Sequence, residues 1–245
     1  MDVSSIMEAT LLGLLTGGCS VMLAGWLPRF LEAHWSLDED RVGAGLGEFM
    51  SALARMRPAG SEVAWIAGSV ACLLLAATGF YAELAWGTTS QAGAFILFAG
   101  ALASAALIDL EHEIIPDILI IPLLWAGLLF NTSGMFVPLS SAVFGAVVGY
   151  SSMWTLNLLF QILAGQSGMY GGDFKMYAAI GAWAGLSALL PTLLIALVVF
   201  AFVVCVRVMT KNRKRETPFG PYLAIGGVIS LGLGDSANFF IHLLR

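Results

Sequence analysis

Two acidic stretches stand out in this chain. One reads Asp109-Leu110-Glu111-His112-Glu113-Ile114-Ile115-Pro116-Asp117, and the other Gly168-Met169-Tyr170-Gly171-Gly172-Asp173-Phe174-Lys175. Were Asp109 and Asp173 to face one another, both could not ionise cheaply, and the pair would share a proton at neutral pH or below. One carboxylate then serves as base and deprotonates a water. The other serves as acid and protonates, or holds, a substrate carbonyl oxygen. That is the chemistry of aspartic peptide-bond hydrolysis. Gly171 and Gly172 suit it, because glycine permits unusual dihedrals and lets a substrate backbone approach the carboxylate. A plainer reading of the same residues is two solvated acids, each capping a helix at an interface.

The elements that would position these acids follow from composition. Of the 245 residues 59% are hydrophobic and only 11% are charged, against roughly 25% charged in a soluble domain. The mean hydropathy is +0.88. Disorder is excluded, since it requires low hydrophobicity and high net charge. With a net charge of −5 and no aromatics interleaved with basic residues, a nucleic-acid partner is not expected. The fold class is all-α, a polytopic transmembrane bundle whose partner is the lipid bilayer. Apolar runs fall at about 6–28, 62–82, 91–110, 115–131, 136–160, 172–189, 191–209 and 219–243, which predicts eight crossings. Gly145/Gly149 and Gly181/Gly185, spaced four apart, predict close helix packing. The polar stretch 29–61 is expected to be the one long loop. No Lys or Arg precedes the first apolar run, which follows Asp2 and Glu8, so a retained helix rather than a removable targeting peptide is expected there. Cys19, Cys72 and Cys205 sit singly in apolar runs and read as buried thiols.

Lys and Arg side chains stay on the cytosolic side of a membrane. Arg29, Arg41, Arg55, Arg57, Lys175, Arg207, Lys211, Arg213, Lys214 and Arg215 all fall there if both termini lie outside, which leaves only Arg245 beyond. In that topology the third crossing descends to the cytosolic face at Asp109. The fourth and fifth make a return trip, and the sixth leaves the same face at Asp173. Ionisable groups at such depths are costly and point to function. Pro116 and Asp117 fit a helix start, proline in the first turn and an acid at the positive dipole end. Lys175 can favour an ionised Asp173, steer a carbonyl, or simply snorkel to the interface. Glu111 and Glu113 face the cytosol and can attract a basic peptide. His112, Glu8 and Asp235 read as polar residues near the membrane ends.

At these motifs the sequence resembles the type IV prepilin peptidases, eight-helix inner-membrane aspartic proteases. Ile108-Asp109 followed by Ile115-Pro116-Asp117 matches, as does the Gly-Met-x-x-Gly-Asp-Phe-Lys pattern at 168–175. A third block, Pro218-Phe219-Gly220-Pro221-Tyr222-Leu223-Ala224, is similar to the one leading into that family's last helix. The resemblance implies that Asp109 and Asp173 are the catalytic pair. It also implies a pilin-like substrate with a short basic leader, cut at the cytosolic face of the bacterial inner membrane. Residues 91–245 are then the peptidase core, and 1–90 an N-terminal part that departs from the family. Tyr170 stands where the family's Gly-x-Gly-Asp pattern has its first glycine. Leu27-Pro28 is recognisable, but Gly18-Cys19-Ser20-Val21 lacks the expected asparagine, and 29–61 holds none of the paired cysteines of bifunctional members. Zinc and other metals are therefore not expected. The second family activity, N-methylation with S-adenosylmethionine, is not carried over.

Other readings use the same residues. A proton-coupled transporter would employ the acids as a relay, but such proteins favour charges at the midplane of broken helices. A non-catalytic assembly subunit of a pilus or secretion machine fits the altered N-terminal part, although both aspartates are retained. A presenilin-like intramembrane protease shares the Gly-Asp element but not the Pro-Phe-Gly-Pro block.

Overall fold

The computed structural model describes residues 3–35, 62–87, 89–165, 171–210 and 217–234. Among them the apolar runs fold into eight α-helices, with no strand: α1 (Val3–Trp35), α2 (Glu62–Trp86), α3 (Ser90–His112), α4 (Asp117–Asn131), α5 (Leu139–Ala164), α6 (Gly171–Ala184), α7 (Leu189–Met209) and α8 (Gly220–Leu233). Every expected run contains one helix. Five segments, Met7–Pro28, Ile66–Trp86, Ser90–His112, Leu139–Leu163 and Leu186–Met209, are long and apolar enough to cross a bilayer. α4, α6 and α8 are shorter, at 15, 14 and 14 residues. Large apolar side chains such as Ile162, Leu163, Val198 and Phe202 point outward. Such a surface has its natural solvent in hydrocarbon, and the chain is a multi-pass membrane protein.

Three boundaries differ from the sequence reading. α1 continues through Pro28 to Trp35, so the expected loop 29–61 begins with helix; membrane helices tolerate an internal proline because neighbours satisfy the freed carbonyl. Residues 36–61 lie outside the described residues. The sixth run breaks after Ala184 at Gly185, whose φ of +79° suits glycine alone, and a 3-10 turn at Leu186–Ala188 leads into α7. The eighth run is helical to Leu233, and Asp235 falls outside the described residues.

Two helices form the centre. α6 buries every residue from Asp173 to Ala184 except Lys175, and α3 buries most of Ala92 to Asp109. α6 packs against α4, α5 and α8, while α3 packs against α1, α2 and α8. The paired glycines do what their spacing implied. A Cβ on Gly145 would collide with the Gly181 carbonyl oxygen, so the α5 and α6 backbones touch. At the far end of the pair Phe98 of α3 stacks on Trp183 of α6, ring centres 5.0 Å apart. From Phe98 to Asp109 and from Trp183 back to Asp173 are nearly equal lengths of helix, each roughly 15 Å. This equal run brings the two aspartates to one end of the bundle.

The distal end of α6 is sealed by one side chain. Asn131 is 1% exposed. Its Nδ2 donates to the carbonyls of Ala182 and Trp183 at 2.9 and 3.1 Å, among the C-terminal carbonyls that a helix leaves unpaired. Its Oδ1 accepts from the N–H groups of Phe136 and Val137 at 3.0 and 3.2 Å. Asn131→Ala strands four backbone groups at once, two of them in buried hydrogen bonds and two in part-buried ones. It is expected to destabilise the purified protein by about 2–4 kcal/mol, read as a lowered thermal transition in detergent. A change below about 0.5 kcal/mol would show that water replaces the amide.

Candidate functional site

Asp109 lies in the last turn of α3. Glu113 ends that helix in the left-handed region, φ +57°, and its N–H returns to the Asp109 carbonyl at 2.9 Å. Helix cannot resume at once, because Pro116 biases Ile115 toward extended backbone and then caps α4, its carbonyl accepting from Leu119 and Ile120 at 3.1 and 3.2 Å. Asp173 sits in the first turn of α6, where the helix dipole favours an acid. The two carboxylates, 5% and 6% exposed, lie within electrostatic reach of each other, with Glu113 also close to Asp109.

A third segment closes on this pair. The backbone N–H of Gly220, first residue of α8, donates to Asp109 Oδ2 at 3.0 Å in a buried hydrogen bond. Ile115 fills the remaining space: a Cβ on Gly172 would meet its Cβ at 2.8 Å, and a Cβ on Gly220 would meet its Cδ1 at 3.0 Å. The three sequence motifs thus meet around two carboxylates and one isoleucine. Such a site can hold a proton between two acids in a medium of low dielectric, where a shared proton and aimed dipoles act strongly.

The other expected residues divide. Asp117 opens α4 as its spacing implied, but Lys175 turns to it rather than to Asp173: Nζ lies 2.7 Å from both Asp117 oxygens. This ion pair ties α4 to α6 beside the site. Pro116 is buried, Gly171 and Glu113 are exposed, and Glu111 is half-buried with its Oε2 3.8 Å from His112 Nε2. Glu8 is exposed on α1, and Tyr170 lies outside the described residues. Cys19 and Cys205 are exposed and Cys72 half-exposed, not buried as expected; in a membrane bundle such outward positions face lipid. Among the described residues no group of three His, Cys, Asp or Glu gathers as metal ligands.

Sequence reasoning missed three residues. Gly220 and Ile115 were quoted within motifs without a role, because one acts through its backbone and the other through shape. Glu83 of α2 is 4% exposed, and its Oε2 has no hydrogen-bond partner. It belongs to none of the sequence motifs, so its position in the chain carried no signal. It lies by Trp86, at the end of the bundle away from the aspartates.

Residues 95–205 match the type IV leader peptidase family. A protein of Pseudomonas aeruginosa named prepilin leader peptidase/N-methyltransferase is 45% identical over 156 residues, which is 62% of this chain and 54% of that relative. One of the same name from Stutzerimonas stutzeri is 43% identical over 170 residues, 68% of this chain and 57% of the relative. Another, from Aeromonas hydrophila, is 45% identical over 153 residues, 62% and 51% of the two chains. The chain therefore spans about half the length of these relatives. No solved structure matches it.

The Lys175–Asp117 pair is short, yet its side chains are 35% and 54% exposed. Solvent-screened pairs of this kind couple by about 0.5–1 kcal/mol. A double-mutant cycle of Lys175→Met and Asp117→Asn, read by thermal unfolding, is expected to return a coupling in that range. A value above about 2 kcal/mol would mean that the pair is desolvated in the membrane.

Proposed function

We propose, from the membership of residues 95–205 in the type IV leader peptidase family, that this protein is a membrane-embedded aspartic endopeptidase that removes the leader of type IV prepilins or pilin-like precursors. The observation that carries the reading is the meeting of two buried carboxylates from separate motifs, Asp109 and Asp173, at one end of the bundle. In this reading residues 91–245 are the peptidase core, and 1–90 a divergent N-terminal part.

The chemistry follows from the pair. One aspartate, ionised, takes a proton from a water as its oxygen attacks the scissile carbonyl carbon. The other, protonated, gives its proton to the carbonyl oxygen. The tetrahedral intermediate then collapses. The C–N bond breaks, the departing amine takes a proton from the acid regenerated in the first step, and the gem-diol hydroxyl returns one to its partner. Gly171 leaves room for the peptide backbone beside Asp173 and Gly172 admits Ile115, while the Lys175–Asp117 pair and Pro116 hold the starts of α6 and α4 in place. No step calls for a metal or nucleotide.

The substrate fits the surroundings. An apolar helix on the precursor shares the bilayer with the outward apolar faces of the bundle. Glu111 and Glu113 near the site attract a basic leader. With ten of 11 Lys and Arg on the cytosolic side, both termini lie outside in an eight-crossing topology, and the site opens to the cytosol at the bacterial inner membrane. The named relatives carry N-methyltransferase in their names. The altered stretch around Gly18-Cys19-Ser20-Val21 and the cysteine-free 29–61 favour hydrolysis without methylation here, and S-adenosylmethionine enters only if methylation is retained.

Co-expression with a prepilin tests the reading. Wild type is expected to trim the leader, while Asp109→Ala and Asp173→Ala each lose activity by about 10²–10⁴-fold or more. Full processing by either variant would remove that aspartate from the pair. Mass spectrometry of the trimmed N-terminus is expected to show a free amine. A methylated one would restore the second activity.

A further inference from the structure

We infer that Gly220 is a positioning residue for this reaction: its backbone N–H fixes Oδ2 of Asp109, leaving Oδ1 to exchange protons with the attacking water. The inference rests on the endopeptidase reading above and gives a function to the third sequence motif, which that reading leaves unused.

α8 opens on N–H groups that no preceding turn of helix can receive. A helix start leaves its first donors without intrahelical partners. Here Tyr222 and Leu223 donate to the Phe219 carbonyl at 3.1 and 3.3 Å. Pro221 has no N–H to offer. The Gly220 N–H is left, and it goes to Asp109 Oδ2 at 3.0 Å. The partial positive charge of a 14-residue helix stands behind that donor. A backbone donor cannot change rotamer, so it holds a carboxylate more rigidly than a side chain would.

The neighbouring residues hold that donor in place. The rings of Phe219 and Tyr222 pack edge-on against Phe200 of α7, with centres 5.8 and 5.4 Å away. Just upstream, Arg207 Nη1 donates to Thr217 Oγ1 at 2.7 Å, which ties the approach to α8 to the end of α7. Only glycine admits the approach itself. Any Cβ at position 220 would stand 2.5 Å from Asp109 Oδ2 and 3.0 Å from Ile115 Cδ1. The flexible partner in that clash is the carboxylate, so a side chain there displaces Asp109. In Pro218-Phe219-Gly220-Pro221-Tyr222 the rings thus anchor, Pro221 removes a competing donor, and Gly220 delivers its N–H.

The test uses the full chain in membranes or detergent, with a prepilin substrate and steady-state kinetics. Gly220→Ala is expected to lower kcat by roughly 10–100-fold, the effect of a small misplacement of a reacting group, while KM for prepilin stays within about twofold and the thermal transition stays near wild type. A second variant, Gly220→Ala with Ile115→Val, makes room for the new methyl against the isoleucine but not against the carboxylate. It is expected to accumulate like wild type and to remain slow. Wild-type kcat in either variant, with Asp109→Ala inert, overturns the role of Gly220 alone. Cleavage by Asp109→Ala instead overturns the reading on which it rests. A loss confined to KM would assign Gly220 to substrate binding and likewise overturn the inference.

Discussion

Two carboxylates buried within electrostatic reach of each other in an apolar bundle are a liability that the rest of the structure has to offset. Each loses its hydration, and each repels the other whenever both are charged. Asp173 is placed in the first turn of a helix whose dipole favours an acid, and Asp109 receives a backbone N–H from a second helix start. Both solutions require helix ends, not helix middles, at the same place. The chain accordingly brings the end of α3 and the starts of α6 and α8 together at one end of the bundle. The reversals between them must be tight, which accounts for the left-handed Glu113 and for Pro116 at the head of α4.

Bringing helix ends together also limits helix length. α6 and α8 have 14 residues each, roughly 21 Å of rise, against a hydrocarbon thickness of about 30 Å. A helix that short is poorly matched to lipid. α6 avoids the mismatch by being enclosed by α4, α5 and α8, and the Gly145–Gly181 contact lets α5 cover it closely. The longer helices, α5 and α7 among them, carry the outward apolar surface. Length in this bundle follows from what a helix faces, bilayer or site.

How much of this was legible in the sequence depended on whether a feature was local. Asp109 and Asp173 stood out because charge is scarce, and the alternation of crossings required them to reach one face. The glycine pairs were legible because a four-residue spacing on a helix is a surface. The partner of Lys175 was not: nothing local distinguishes Asp117 from Asp173 until the relative height of α4 and α6 is known. Gly220 was invisible as a donor, because every residue but proline has the same N–H and only the fold aims it. α1 ran past Pro28 because proline breaks helices less reliably in a membrane than in water. Glu83 went unnoticed because its burial depends on helices that lie elsewhere in sequence.

The depth of the site is a further consequence that spacing alone could not give. Tyr150 of α5 packs edge-on against Phe174 of α6, ring centres 6.1 Å apart, one residue beyond Asp173. From that level α5 continues to Ala164, nearly four more turns or roughly 20 Å. The overhang is not a solvated helix end, since Leu159, Phe160, Ile162 and Leu163 on it are exposed and apolar. Such a surface demands hydrocarbon or a protein partner, so Asp173 sits well short of the end of α5 rather than at the rim that its place in a sequence loop suggests. In the endopeptidase reading, a recessed pair keeps the proton it shares away from bulk water, which strengthens every dipole aimed at it. The endopeptidase reading then requires a peptide bond to be drawn inward and extended before it is cut, because a helical segment has its carbonyls tied to its own N–H groups.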